Sequence, residues 1–359
     1  MKKILSVIIL TLAGTYVLAQ TGNIGNTVQE GDFNFHFRQQ SGIHSSDVYQ
    51  NSSAGTVDDK NVVTVTQSNR SLDNLTGNES IVKQYGLGHE STITQIGKNN
   101  AETYIGADGL GNIDQNTNNT TSIYQYGADN YGKQVVRGGS ANESYLGLEQ
   151  YGTDNQATQI ASWSTYSTGF ASQAGSDNSV WQQVDGTVNS VSVVQSGDRN
   201  TSFQWIKDGS SSNNSVNTNQ SGNENNARIV TKGNNNEFLL TQNGHNNQSV
   251  GTSGDQYSNG IQTGNVNNTK LSQYGNNNQV MMEQVGDGNS INGYTFMGAA
   301  QVGDHNTYKF SQNGLENKSF SNQFGDHNRS DINQNSNGSI SNISQQGQVN
   351  SAIIFQGNL

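Results

Sequence analysis

The chain has 359 residues, of which 30% are hydrophobic and 13% charged, with no proline and no cysteine. So small an apolar share excludes one large globular core, and so few charges exclude ordinary charge-driven disorder. A formal net charge of −11 argues against nucleic acid as a partner, and the missing thiols exclude disulfides and thiolate metal sites.

At the amino terminus, Lys2 and Lys3 precede a largely apolar run over residues 4–12, and Val17-Leu18-Ala19 offers small residues for cleavage. Residues 1–19 read as a secretory signal peptide. The apolar run is short of the roughly 20 residues a spanning helix needs, and Gly14 and Thr15 interrupt it, so no membrane insertion of the mature chain is expected. Residues 20–80 hold degenerate repeats, most degenerate over 41–80. Residues 81–359 form a repeat array, most regular over 262–359.

The repeat is Q-x-G-x-x-N. It begins without substitution at Gln29, Gln95, Gln125, Gln150, Gln173, Gln195, Gln220, Gln242, Gln262, Gln273, Gln284, Gln301, Gln312, Gln323 and Gln345. Gln301, Gln312, Gln323, Gln334, Gln345 and Gln356 lie 11 residues apart. Eleven residues hold one strand and one turn, and self-similarity at a short period means a stacked array. The spacing therefore predicts an all-β fold: a β-solenoid of stacked 22-residue strand–turn–strand rungs, two 11-residue units per rung, amyloid-like and cross-β. Longer gaps, such as 30 residues from Gln95 to Gln125 and 17 from Gln284 to Gln301, mark insertions.

Alternation assigns the faces. The residue two before each Gln is apolar in most copies, as at Ile93, Ile123, Leu148, Val193, Leu240, Leu271, Phe310 and Ile332. Asn, the residue two after it, the apolar residue, Gln and Gly share one parity, so the whole set can point inward along a strand. The inward amides are expected to stack rung on rung in ladders that satisfy their own donors and acceptors. The Gln members are those of the motif from Gln95 onward. The Asn members are Asn100, Asn130, Asn155, Asn178, Asn200, Asn225, Asn247, Asn267, Asn278, Asn289, Asn306, Asn317, Asn328 and Asn350. Glycines such as Gly97, Gly127, Gly152, Gly275, Gly303 and Gly325 are expected where the chain bends with positive φ, and the motif Asn ends the turn, tolerates left-handed geometry and can bond nearby backbone.

This pattern resembles the curlin repeat family, the subunits of bacterial curli fibres. Gln95-Ile96-Gly97-Lys98-Asn99-Asn100 carries the Gln–Gly–Asn core. Gln150-Tyr151-Gly152-Thr153-Asp154-Asn155-Gln156-Ala157 and Gln220-Ser221-Gly222-Asn223-Glu224-Asn225-Asn226-Ala227 carry the family's following Ala as well. The resemblance runs from about Gln29 to the end. It departs from the family in its many repeats and in the predominance of Asn where the family alternates Ser and Asn. It implies a secreted, extracellular subunit that passes an outer-membrane export machinery unfolded and self-polymerises into a surface homopolymer, with a nucleator subunit as partner, serving adhesion and biofilm. The last unit, ending at Leu359, shows no capping helix, and an uncapped rung is a template for the next molecule. A monomeric β-solenoid adhesin or ice-binding module, or a minor or nucleating subunit, is the alternative.

Other candidates have plainer explanations. His305 and His327, 22 residues apart and each preceded by Asp, would put two imidazoles and two carboxylates one rung apart, a set that suits Zn²⁺ or Cu²⁺; a solvated repeated turn explains them as well and is favoured. Asp198, Asp287, Asp304 and Asp326 fit turns that slow premature stacking by charge repulsion. Tyr85, Tyr126, Tyr151, Tyr274 and Phe324 follow the Gln and should face outward, stabilising strands. No catalytic constellation and no cofactor signature is present, so no enzyme is expected.

Overall fold

A computed structural model describes residues 24–30, 34–41, 44–51, 60–68, 78–105, 117–138, 141–251, 260–292 and 299–357. The expected signal peptide and the last two residues lie outside these. The described elements are strands joined by tight turns, and the strand pairings are parallel.

Pairing skips one strand at a time. Ile24–Glu30 pairs with Ser45–Asn51, and that strand with Glu79–Tyr85. Asn34–Ser41 pairs with Asn61–Ser68, and that strand with Glu90–Ile105. Alternate strands thus build two facing sheets, and the chain winds between them as a β-solenoid. Glu90–Ile105 and Thr120–Arg137 run through the corner, so each contributes to both sheets. Where repeats are regular, one coil is 22 residues: Gln301, Gln323 and Gln345 are in register in the second sheet, and Gln312, Gln334 and Gln356 in the first.

The register stays intact across the insertions, because the strand pieces on either side of them keep the same partners. Gln248–Val250 and Gly260–Thr263 are two pieces of one strand, pairing with the same neighbours, Asn226–Lys232 on one side and Gln279–Val285 on the other. Ser290–Asn292 and Ala299–Val302 repeat the arrangement and account for the 17-residue gap before Gln301. The described strands within residues 41–80, Ser45–Asn51 and Asn61–Ser68, join the same stack with Gln50 and Gln67 in the Gln columns.

The core is the narrow space between the sheets. Burial alternates strictly along Thr201–Ile206 and Thr307–Asn313, as the pleat requires. The largest fully buried side chains include Tyr308, Phe310 and Phe238, with Ile, Leu and Val in other coils. An apolar column and a polar amide column share this interior. A low hydrophobic content is therefore enough, because hydrogen bonds along the stack satisfy the remaining buried surface.

Candidate functional site: the amide ladders and the ends of the stack

In the second sheet the Gln column is unbroken from Gln40 to Gln345. Each Nε2 donates to Oε1 of the Gln one coil later. The distance is 2.7 Å from Gln40 to Gln67, 2.9 Å from Gln95 to Gln125, 2.7 Å from Gln125 to Gln150 and 2.8 Å from Gln150 to Gln173. It continues through Gln195, Gln220, Gln242, Gln273, Gln301 and Gln323. All bonds run in one direction. The second N–H is used too: Gln150 reaches across the core to the Tyr131 carbonyl at 3.0 Å, and Gln220 to that of Thr201 at 3.0 Å. Each Gln therefore ties one coil to the next and one sheet to the other.

The first sheet holds the same column at both ends. Gln29, Gln50 and Gln84 connect in order, as do Gln262, Gln284, Gln312, Gln334 and Gln356. Between them Ile105, Val136, Ala161, Val184, Ile206 and Thr231 fill the column. The amide there has moved two residues toward the amino terminus. Gln134, Gln159, Gln182 and Gln204 form a substitute ladder at 2.8, 2.9 and 2.9 Å. A shift of two preserves the inward parity, so amide and apolar side chain exchange places within the same core. The motif search missed this ladder. Its signal is the Gly and Asn that persist at Gly186 and Asn189 while the Gln stands two places early.

The Asn residues form two further columns, one at each edge. In one, Asn155 accepts no ladder bond from behind but donates: its backbone N–H and Nδ2 both reach Asn130 Oδ1, at 3.2 and 2.9 Å, and Nδ2 also reaches the Gly175 carbonyl at 2.9 Å. Asn178, Asn200, Asn225, Asn247, Asn278, Asn306, Asn328 and Asn350 continue it. Asn267, Asn289 and Asn317 stand in the opposite column with Asn189, Asn214 and Asn236. Before Asn130 the first column's member is Asn99, itself bonded to Asn78, with Asn100 one place beyond Asn99. The turn after Gln95 is one residue shorter than the next, and the register shifts between Lys98 and Asn99.

Two histidines occupy Asn slots, which the sequence reading did not identify. His89 Nε2 donates to the Tyr85 carbonyl at 3.0 Å, four residues back as in the Asn members, and Nδ1 accepts the Asn119 N–H at 3.3 Å. His44 plays the same part with the Ser41 carbonyl, three residues back, and the Asn78 N–H, at 2.9 and 3.1 Å. Both rings are neutral in this role. Burial holds the His89 imidazole down to about 4 and lowers that of His44.

In the turns, the glycine has positive φ, 124° at Gly127 and 110° at Gly275. A Cβ on Gly127 would overlap the Gly152 carbonyl of the next coil. The motif Asn does not itself use the left-handed geometry it tolerates. The residue before it takes that conformation, as at Asp154, Asp177, Arg199 and His305, all with φ of 55–60°, which leaves the Asn side chain free to point inward. The turn acids are also more than repulsive charges. Asp304 accepts the Asn276 N–H at 2.7 Å, and Asp326 accepts that of Asp304 at 2.9 Å. Asp198 and Asp287 accept from Ser176 and Asn265. Only Asp304 and Asp326 of the four stand on consecutive coils. The His305 and His327 rings stack in parallel, centroids 4.8 Å apart, and among the described residues no group of three His, Asp or Glu is placed to hold a metal. Tyr151 and Phe324 are exposed; Tyr85 is half-buried against Tyr49, with centroids 5.2 Å apart.

The two ends of the described stack differ. In the last coil the strands Ile340–Gln346 and Ser351–Gly357 turn Ile343 and Ile354 inward beside Gln345 and Gln356. In the first coil, Asn34–Ser41 turns His36 and Arg38 inward at the positions of Val63 and Val65, while Phe35 and Phe37 face out.

The family model described as the curlin associated repeat matches residues 211–244. That window holds the strands Ser215–Ser221, Asn226–Lys232 and Glu237–Asn243, with Gln220 and Gln242 in one Gln column and Asn214, Asn225 and Asn236 in the Asn columns. Residues 211–244 thus carry a curlin associated repeat. The repeat and the solenoid are those of a structural protein, and the matched coil and a half extends in both directions through the same ladders. No curated protein matches the chain. Among the described residues no helix is long and apolar enough to cross a membrane.

Proposed function

We propose that this curlin-repeat protein is a secreted structural subunit that stacks end to end into a curli-type amyloid fibre on the bacterial surface, serving adhesion and biofilm matrix. The observation that carries the reading is the run of Gln columns, in which each coil offers the next the same donors and acceptors it receives from the one before. Among the described residues nothing donates to Oε1 of Gln29 or Gln40, and Gln345 and Gln356 donate to the Arg329 and Ile340 carbonyls and to no further Gln. The last coil also leaves Ile353 and Phe355 exposed. Unpaired strand edges with open amide columns favour a further coil, and another copy of this chain supplies one of the same geometry. Residues 1–19 fit the role as an export signal, and an outer-membrane export machinery and a nucleator subunit are the partners the role requires.

The test is assembly of the chain from Gln20 onward after dilution from denaturant, followed by thioflavin fluorescence and then fibre diffraction. Seeded growth with reflections near ~4.7 and ~10 Å is the expected result. A stable β-rich monomer that never seeds would refute it and favour a solitary solenoid adhesin.

A further inference from the structure

The chain has 14 tyrosines and no cysteine, so no disulfide can tie one coil to the next. Tyrosine is the other residue that oxidation can join in pairs. On the outside of the second sheet, the strands Thr120–Arg137 and Tyr145–Thr153 run in register on consecutive coils, with Tyr124 beside Glu149 and Tyr126 beside Tyr151. The rings of Tyr124 and Tyr151 meet diagonally, centroids 5.6 Å apart and planes inclined by 42°. That separation is the contact range of paired aromatic rings. Tyr151 is 40% exposed, and among the described residues neither hydroxyl is held in a hydrogen bond.

An acid stands beside the pair. Glu149 is in register with Tyr124 and two residues before Tyr151 on the same face, where it can take up a phenolic proton as an electron leaves. Burial, then Glu149 and Tyr124, raise the Tyr151 phenol above its ordinary value, so the two phenols and the carboxylate share one environment. Other tyrosines are placed differently. Tyr145 lies across Gly147, 2.8–3.1 Å from where a Cβ would stand. Tyr49 and Tyr85 have centroids 5.2 Å apart, but the Tyr49 hydroxyl donates to Glu30 at 2.7 Å. Glu30 lies on the coil before Tyr49 and Tyr85 on the coil after it, so that bond turns the ring carbons beside the hydroxyl away from Tyr85.

We propose that Tyr124 and Tyr151 form an oxidative cross-linking site, which hydrogen peroxide acting through a haem peroxidase closes into a dityrosine that staples two consecutive coils. Each phenol gives up one electron and its hydroxyl proton. The two radicals pair in a carbon–carbon bond between ring positions next to the hydroxyls, and the hydrogen displaced from each of those carbons returns to its oxygen. The peroxide takes the two electrons and two protons, its O–O bond breaks, and two waters leave. The tie lies within one chain and does not depend on end-to-end stacking.

The experiment mixes isotope-labelled and unlabelled chain in equal parts, from Gln20 onward, and treats it with peroxidase and hydrogen peroxide once circular dichroism shows its β content. Dityrosine fluorescence should appear. Mass spectrometry should find the tryptic peptide holding Tyr124 joined to the one holding Tyr151, lighter than their sum by two hydrogens and with both halves from the same isotopic pool. Tyr124→Phe and Tyr151→Phe, each with unchanged circular dichroism, should lose that bond, whereas Tyr126→Phe should keep it. Four results would overturn the site: dityrosine confined to other pairs, joined peptides of mixed label, oxidation that stops at tryptophan or methionine, or a bond that survives Tyr124→Phe and vanishes in Tyr126→Phe. The bond is read whether or not the chain has polymerised, so its absence leaves the fibre reading standing, and a chain that never seeds leaves the cross-link standing.

Discussion

His89 Nδ1 accepts the backbone N–H of Asn119 at 3.3 Å, doing in one coil what an Asn Oδ1 does in the coils beyond. The substitution works only while the ring is neutral, because a second ring proton would face a donor.

Acid should therefore weaken this region first. The imidazole titrates near 6.5 when unfolded and at about 4 when folded, so the unfolded chain takes up the proton more readily between those values. The stability that His89 contributes is complete above pH 6.5 and declines as pH falls toward 4, by about 3 kcal/mol in all. His89→Asn places the column's usual residue in the slot and should flatten that part of the pH dependence, read from guanidinium midpoints between pH 7 and pH 4. An unchanged slope would show that the ring is not the sensor.

The Gln columns make a graded prediction. Gln150→Leu takes one of two acceptors from Gln125 Nε2, which keeps the Asn130 carbonyl, and removes the donor to Gln173 Oε1, and should cost about 1–3 kcal/mol. Gln150→Glu buries a charge whose acceptor oxygens meet Gln173 Oε1, and it should cost more, several kcal/mol, with a matching loss of denaturation midpoint at pH 7. For assembly, the Gln312→Glu and Gln323→Glu pair, one in each sheet, should lengthen the lag; unchanged kinetics would sink the ladder argument.

Two turn glycines separate conformation from space. Gly338 has φ of 68° and open space around its Cβ position, so Gly338→Ala should cost only about 1 kcal/mol. Gly127, at φ of 124°, would drive its Cβ into the Gly152 carbonyl, so Gly127→Ala must displace a coil and should cost at least about 3 kcal/mol. Equal thermal shifts for the two variants would contradict the close approach.

The displaced ladder can be tested by undoing it. Gln204→Ile combined with Ile206→Gln returns the amide to the column of Gln84 and Gln262 in one coil, yet the preceding coil keeps Gln182 and Val184 in the other order. Gln182 Nε2 loses its Gln204 acceptor, so the double variant should lose about 2–4 kcal/mol in a denaturant titration.

Much of this was legible from spacing. An 11-residue period with strict alternation fixes strand, turn, facing sheets and the Gln partners wherever the units are regular. The harder parts are those where position in the coil outweighs identity. His44 and His89 look like any histidines until the column they stand in is known, because the Asn role needs only one acceptor and one donor at the right reach. Gln134 to Gln204 escaped because parity, which the fold reads, survives a shift of two, whereas the motif does not. Asn99 replaces Asn100 because one turn is a residue shorter. Arg38 was invisible for a related reason: an inward arginine is recognised only from the register of Gln40.

The shared direction of the Gln bonds has a consequence for the molecule as an electrical object. In the unbroken Gln column every side-chain amide dipole lies head to tail along the stacking axis, whereas the Asn columns donate the opposite way, each later Nδ2 to the earlier Oδ1. The interior is therefore a set of counter-running dipole columns, each with its own fixed sense, whose fields offset one another over the whole molecule. A coil laid on in the wrong sense meets acceptor with acceptor or donor with donor in every column at once, before any side chain on its surface is consulted.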